Sequence, residues 1–213
     1  MKKFEFLLDD NQKNIFFSAI RSKVDIITLW MNTIKLALSY IPPEKNESAA
    51  KLSIIYTKMS RIILASEDKI FTANFPFFVR NIEEGFIFSA AGIENIDSRV
   101  TSEILSLLHT EEILKQQDVL DFADPICTSC DIDKGIWTLL NNLLTCEDGY
   151  LRYDYDPARV DKEVGENKHP LHHVDFFYTN SNKFKLGLDS AATPEGFQDM
   201  LDITKACSFI RSA

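Results

Sequence analysis

Three of the four histidines fall within five residues, in HPLHHVDFFY (His169 to Tyr178), and the aspartate-rich stretch LRYDYDP (Leu151 to Pro157) precedes them. Histidine beside aspartate suggests proton transfer, because a carboxylate fixes the imidazole tautomer and the imidazole exchanges a proton near neutrality. Alternation along three expected strands decides which of these side chains can meet. On the first strand Arg152, Asp154 and Asp156 share a face opposite Leu151, Tyr153 and Tyr155. On the second His173, Asp175 and Phe177 oppose His172, Val174, Phe176 and Tyr178, and on the third Phe184, Leu186 and Leu188 face the core with Lys183 and Lys185 opposite. If the apolar faces agree, Arg152, Asp154, His173, Asp175 and Lys185 converge on one surface.

Such a set suits metal-independent RNA cleavage. The attacking 2′-hydroxyl loses a proton, the leaving 5′-oxygen gains one, and Arg or Lys stabilises the charge that develops around phosphorus. The candidate catalytic residues are therefore Arg152, Asp154, His169, His173 and Asp175, with Lys185 and Tyr153 as substrate contacts. The cofactor stays open: His169, His173, Asp154 and Asp175 also offer nitrogen and oxygen donors that a divalent Mn²⁺, Fe²⁺ or Zn²⁺ would accept. A bland alternative makes the same residues cross-strand ion pairs on a solvated sheet face. The loop ARVDKEVGENKHP, long for a structural hairpin, weighs against it as a lid or substrate loop over the site. His172, on the Val174 side, reads as a packed histidine.

The elements that must position this hairpin are read from periodicity. From Asn11 to Ile41, Ile15, Phe16, Ala19, Ile20, Ile26, Ile27, Trp30, Met31, Ile34 and Leu38 recur at helical spacing, and Pro42-Pro43 ends the run. Ala49 to Leu64 reads as a helix, although Ile54, Ile55, Ile62 and Ile63 compete for strand. IFTANFPFFV and GFIFSAA read as short strands around NIEEG. Thr101 caps a helix to Lys115, and Asp131 to Cys146 forms another, closed by Gly149. Strands at Tyr150–Tyr155, His172–Thr179 and Lys183–Leu188 follow, the last two joined by TNSN, and Thr193 caps a final helix with Phe197, Met200, Leu201 and Ala206 inward. The expected fold is α+β: a helical N-terminal part with a short strand pair, then a C-terminal three-stranded antiparallel meander closed by a helix. It forms a single domain over 1–213, or divides into a mainly helical 1–148 and a meander-plus-helix 149–213.

Composition limits the partners. A chain of 213 residues with 45% hydrophobic content can bury a core, and its net charge of −9 disfavours stable unspecific DNA binding. No apolar run is long enough to span a membrane, and MKKFEFLLDDNQKN turns acidic where a signal peptide would stay apolar, so the protein reads as cytoplasmic. Four cysteines make no disulfide scaffold. Cys127 and Cys130 in PICTSCD are half a zinc site with no second pair, and His109 reads as an ordinary helix histidine.

LRYDYDP, HPLHHVDF and the strand ending before TPEGFQDML resemble a bacterial family known only as a domain of unknown function, number twenty-two ninety. The matching positions are Arg152, Tyr153, Asp154, His169, Pro170, His172, His173 and Asp175, the last more usually histidine in that family. The RYD-then-histidine layout is also distantly similar to TumE-type toxins of toxin–antitoxin pairs. The first resemblance implies a small bacterial stand-alone protein of unassigned activity; the second implies a genetic-conflict role, toxin or phage-defence component, and neither assigns a reaction. Two functions compete on this basis. One is a nuclease or phosphodiesterase acting on RNA or a nucleotide; the other is a non-catalytic subunit whose FTANFPFFV segment and N-terminal helix dock on a partner ATPase or nuclease of a defence or toxin–antitoxin operon.

Overall fold

Alternation begins at the N-terminus, where Phe4, Phe6 and Leu8 fall on one face and Lys3, Glu5 and Leu7 on the other. The computed structural model describes residues 2–44, 46–56, 60–83, 85–109, 133–160, 169–176 and 184–206. In it Lys2–Leu8 is strand β1, followed by helices α1 (Asp10–Phe16) and α2 (Lys23–Leu38). Strands β2 (Ala50–Tyr56), β3 (Ser60–Ala65) and β4 (Lys69–Asn74) come next, then β5 (Phe78–Ile82) and β6 (Gly85–Ser89). Helices α3 (Ser98–Leu108) and α4 (Lys134–Thr145) lead to β7 (Leu151–Tyr155), β8 (His172–Phe176), β9 (Phe184–Gly187) and helix α5 (Pro194–Leu201). Seven strands form one antiparallel sheet in the order β1-β2-β3-β4-β7-β8-β9, and β5 pairs with β6 separately.

This architecture corrects the expected one. The C-terminal strands are not a free meander: β7 pairs with β4, Phe71 opposite Arg152 and Lys69 opposite Asp154, so the sheet runs straight through the 148/149 boundary. The described residues before that boundary hold far more than a short strand pair, since they supply four strands of the large sheet and the β5–β6 hairpin. Ala50–Tyr56 and Ser60–Ala65 are strands because both sides of the sheet are covered, which buries Ile54, Ile55, Ile62 and Ile63 together and rewards β-branched residues over helical spacing. The long N-terminal helix is two helices. Asp9 and Ser22 each close a capping box, with Gln12 and Asp25 reaching back, and the second box starts α2 afresh.

Smaller boundaries shift for similar reasons. Asp97, not Thr101, caps α3 by accepting from Val100 N–H, and Thr101 is buried one turn inside. Asp133 caps α4, which ends at Thr145, so Gly149 is no cap of that helix. Its φ of +53° instead serves the entry to β7, where a Cβ would lie 2.7 Å from Asn74 Oδ1. Thr193 caps α5 with Pro194 in its first turn, and Phe197 is buried, but Met200 and Ala206 are exposed. TNSN, Cys127, Cys130, residues 110–115 of the expected helix and residues 161–168 of the long loop lie outside the described residues. Among the described residues no helix is long and apolar enough to cross a membrane.

The two faces of the sheet are packed by different elements. On one, Phe6, Leu8, Leu52, Ile54, Ile62, Leu64 and Phe71 meet helix α2, with Trp30 at zero exposure, together with α3, α4 and the β5–β6 hairpin. On the other, Ile55, Ile63, Ile70, Tyr153 and Val174 meet Phe197 of α5. The join between β4 and β7 is clamped. Asn74 N–H donates to Asp148 O at 2.7 Å, and buried Arg61 donates to Thr72 Oγ1, Asn74 Oδ1 and the Gly149 carbonyl. Lys23 of α2 reaches the Cys146 carbonyl and Asp148 from the helical side.

Candidate functional site

Cross-strand partners share a face, so the helix-packed side of β4, marked by Phe71, continues as Arg152 and Asp154 on β7. Apolar filling stops at the Phe71 and Tyr150 rings, whose centroids are 6.0 Å apart. Beyond them the register sets Arg152 opposite Asp175 and Asp175 opposite Lys185, with Asp154 opposite His173 and His173 opposite Gly187. Five charged or titratable side chains from three strands therefore meet, as the alternation predicted.

Their contacts form a closed network. Arg152 Nε donates to Asp154 Oδ2 at 2.7 Å, and its Nη2 donates to Asp175 Oδ2 at 2.7 Å. Lys185 Nζ lies 2.9 Å from Asp175 Oδ1 and 2.8 Å from His173 Nε2. His173, 1% exposed, donates Nδ1–H to the Pro170 carbonyl at 2.9 Å. A carbonyl only accepts, so Nδ1 carries the proton and the Nε2 lone pair receives the lysine ammonium. Asp175 Oδ1 is fully buried and accepts no hydrogen bond; its contact with Lys185 is an ion pair whose angle falls outside hydrogen-bond geometry. Burial would lower the Arg152 pKa, but Asp154, Tyr150 and Asp175 outweigh it and raise the value, so the guanidinium stays charged. Burial pushes the Tyr150 phenol up to about 12, which keeps it neutral beside Arg152.

Close approach makes the His173 hydrogen bond feasible. A Cβ on Gly187 would lie 2.9 Å from Pro170 Cγ, so only a residue without one lets Pro170 settle over β9 and present its carbonyl to the imidazole. His169 stands at the border of the network. Its ring packs edge-on against His173 with centroids 4.9 Å apart, but its Nε2 is 3.2 Å from Asp156 Oδ2. Burial alone would raise the Asp156 pKa, and the His169 hydrogen bond with Arg159 nearby brings it below its ordinary value.

Tyr153 does not join the site. It faces α5 on the opposite side of the sheet at 3% exposure, because side chains one position apart on β7 point to opposite faces. Its hydroxyl lies 2.8 Å from His172 Nδ1. His172 is thus a packed histidine, stacked on Tyr155 at 5.2 Å. His109 is the exposed C-cap residue of α3. No known protein family, curated protein or solved structure matches the chain.

Sequence reasoning missed Tyr150, the Pro170 carbonyl and Gly187. Pro170 was visible inside HPLHHVDF, and Gly187 in KLGLD is the kind of strand glycine that marks a close backbone approach. One imidazole nitrogen and two carboxylates could hold a divalent metal: a ligand atom from each of Asp154, His173 and Asp175 lies within 4.8 Å of the others. His169 is spent on Asp156 and is not part of that set.

Proposed function

We propose that the β7–β9 face carries out phosphodiester chemistry on a nucleotide or short RNA, in a bacterial genetic-conflict role. The observation that carries this is the meeting of His173, two carboxylates and two cations in one contact network across three strands. Arg152 and Lys185 balance Asp154 and Asp175, so the site is locally neutral within a chain of net charge −9, and it does not repel a phosphate as the rest of the surface does. Lys185, the most exposed of the five at 32%, contacts the phosphate, while His173, Asp154 and Asp175 activate the attacking oxygen. The distant similarity of the RYD-then-histidine layout to TumE-type toxins supports the biological setting. The acidic composition, with no expected disulfides, supports a cytoplasmic place of action.

The test is cleavage of a short RNA and of bis(p-nitrophenyl) phosphate by the purified chain, with RNA integrity followed on induction in a bacterial host. Parent activity should fall at least about a hundredfold in His173→Gln, the range general acid–base groups contribute. An inactive parent, or a variant that keeps its rate while folded by circular dichroism, would rule the reading out. A second reading, a non-catalytic subunit docking on a partner ATPase or nuclease, keeps one supporting observation. Phe78 and Ile82, at alternate positions on β5, are 64% and 44% exposed. The rest of that aromatic segment is core, with Phe71, Phe75, Phe77 and Val79 all buried, as are nine residues of α2.

A further inference from the structure

We infer that Asp154, His173 and Asp175 form a divalent-cation site, and that the Lys185 ammonium is its built-in competitor. The inference rests on reading the β7–β9 face as the site of chemistry, and it assigns to that face an inorganic cofactor with open coordination positions.

The geometry is close to that of a ligand triangle. His173 Nε2 is 3.8 Å from Asp154 Oδ2 and 4.0 Å from Asp175 Oδ1. Two donors about 2.1 Å from a cation, at right or tetrahedral angles, stand about 3.0–3.4 Å apart, so the two His173 sides close by about half an ångström, and the carboxylate–carboxylate side, within the 4.8 Å span of the set, closes further by rotation of the aspartate side chains. The surroundings are arranged as outer partners of a bound metal are. His173 gives its Nδ1–H to the Pro170 carbonyl, which fixes the tautomer and aims the Nε2 lone pair inward. Arg152 braces Asp175 through the oxygen turned away from the triangle, Oδ2, and holds Asp154 through Oδ2, the oxygen that also faces it. Asp175 Oδ1 is buried, accepts no hydrogen bond and faces the same space. A buried carboxylate oxygen in that condition calls for a cation.

Lys185 supplies a partial one. Its Nζ contacts two of the three donor atoms, Asp175 Oδ1 and His173 Nε2, and so occupies the room an ion needs. Its long flexible stem rises from the edge strand β9, and at 32% exposure the ammonium can swing into water. The exchange changes the charge of the network. With Lys185 in place, two carboxylates, Arg152 and Lys185 sum to zero; with a divalent ion in and the lysine out, the sum is +1, with free coordination positions facing solvent. That state attracts a phosphate which the closed network does not. One imidazole with two carboxylates favours Mn²⁺, Fe²⁺ or Zn²⁺ over the all-oxygen preference of Mg²⁺ and Ca²⁺.

Lys185→Met separates this proposal from a purely anion-binding lysine. The chelator-treated full chain is titrated with Co²⁺ by visible absorption and calorimetry, and with Mn²⁺ by electron paramagnetic resonance. One equivalent should bind the parent, Lys185→Met should bind at least about tenfold more tightly, and Asp175→Asn should lose the site. Absence of binding in both parent and Lys185→Met, weaker binding in Lys185→Met, or binding that survives Asp175→Asn would each overturn it. Lys185→Met keeps the test open should Asp175→Asn fail to fold. The readout needs no turnover: tight Co²⁺ binding without phosphodiester cleavage sinks the proposed reaction and leaves the metal site, while chelator-resistant cleavage with no Co²⁺ signal does the reverse.

Discussion

Arg152→Met should destabilise the fold by about 3 kcal/mol. The guanidinium donates to Asp154 Oδ2 and Asp175 Oδ2, each at 2.7 Å, and those side chains are only 14% and 17% exposed. A hydrogen bond to a charged group contributes about 1.5–3 kcal/mol, so two of them bound the loss at roughly 3–6 kcal/mol. Arg152 is itself 30% exposed, and water that enters its place recovers part of this, which brings the expectation to the low end. What remains is a pair of buried carboxylates with Lys185 alone to balance them, the costly half of a broken ion pair. Urea unfolding reads the change as a lower midpoint at unchanged slope, and thermal unfolding as a fall of about 6–12 °C for a chain of this size. The charge argument has its own control. Adding Asp154→Asn and Asp175→Asn to Arg152→Met should recover at least about half of the loss by removing the orphaned charges. A loss under about 1 kcal/mol, or a triple variant less stable than Arg152→Met, would refute the reasoning and leave the network as solvated surface pairs.

Gly187→Ala places a methyl 2.9 Å from Pro170 Cγ, so Pro170 must retreat and the His173 hydrogen bond to its carbonyl breaks. The expected cost is about 1–2 kcal/mol, with loss of the Nδ1–H tautomer in imidazole nitrogen NMR, and an unchanged tautomer contradicts the account. At Glu5, hydrogen bonds from Lys3 and then Lys51 hold the carboxyl below its ordinary 4.5. A depressed folded value stabilises above the unfolded one, so Glu5→Gln should be less stable than the parent near neutrality. The difference should vanish as pH falls through the folded value, and stay under about 1 kcal/mol because the side chain is 45% exposed.

How far the sequence reveals this molecule depends on the range of the interaction that decides each element. Strands β7, β8 and β9 were legible because Arg152/Asp154, His173/Asp175 and Lys185 alternate with apolar residues. Matching those faces placed the five residues on one surface, and the pairing of Arg152 with Asp175 and of Asp154 with His173 came from the structure. The partner of β7 was not legible: nothing local in LRYDY says that Phe71 lies opposite Arg152. Ile54, Ile55, Ile62 and Ile63 misled because their spacing satisfies a helix as well as a doubly buried strand, and only the sheet's two covers decide between them. Phe4 and Phe6 escaped notice because a seven-residue strand beside lysines resembles a polar leader until β2 pairs with it. At the site, the residue types were readable and the tautomer of His173 was not, since it depends on a carbonyl three positions back held by a glycine on another strand.

The join between β4 and β7 also sets an order of assembly. Strands β1 to β4 are consecutive neighbours in the sheet, so that portion zips through short turns and the α1–α2 crossing. Arg152 meets Phe71 only after the long chain between them has been looped closed, an entropic cost that grows with the logarithm of loop length. Until then β4 is an open edge with unpaired amides and carbonyls, ready to template another strand. The network of Arg152, Asp154, His173, Asp175 and Lys185 thus depends on that long-range closure. A nascent chain carries no site until its N-terminal scaffold has survived with that edge exposed.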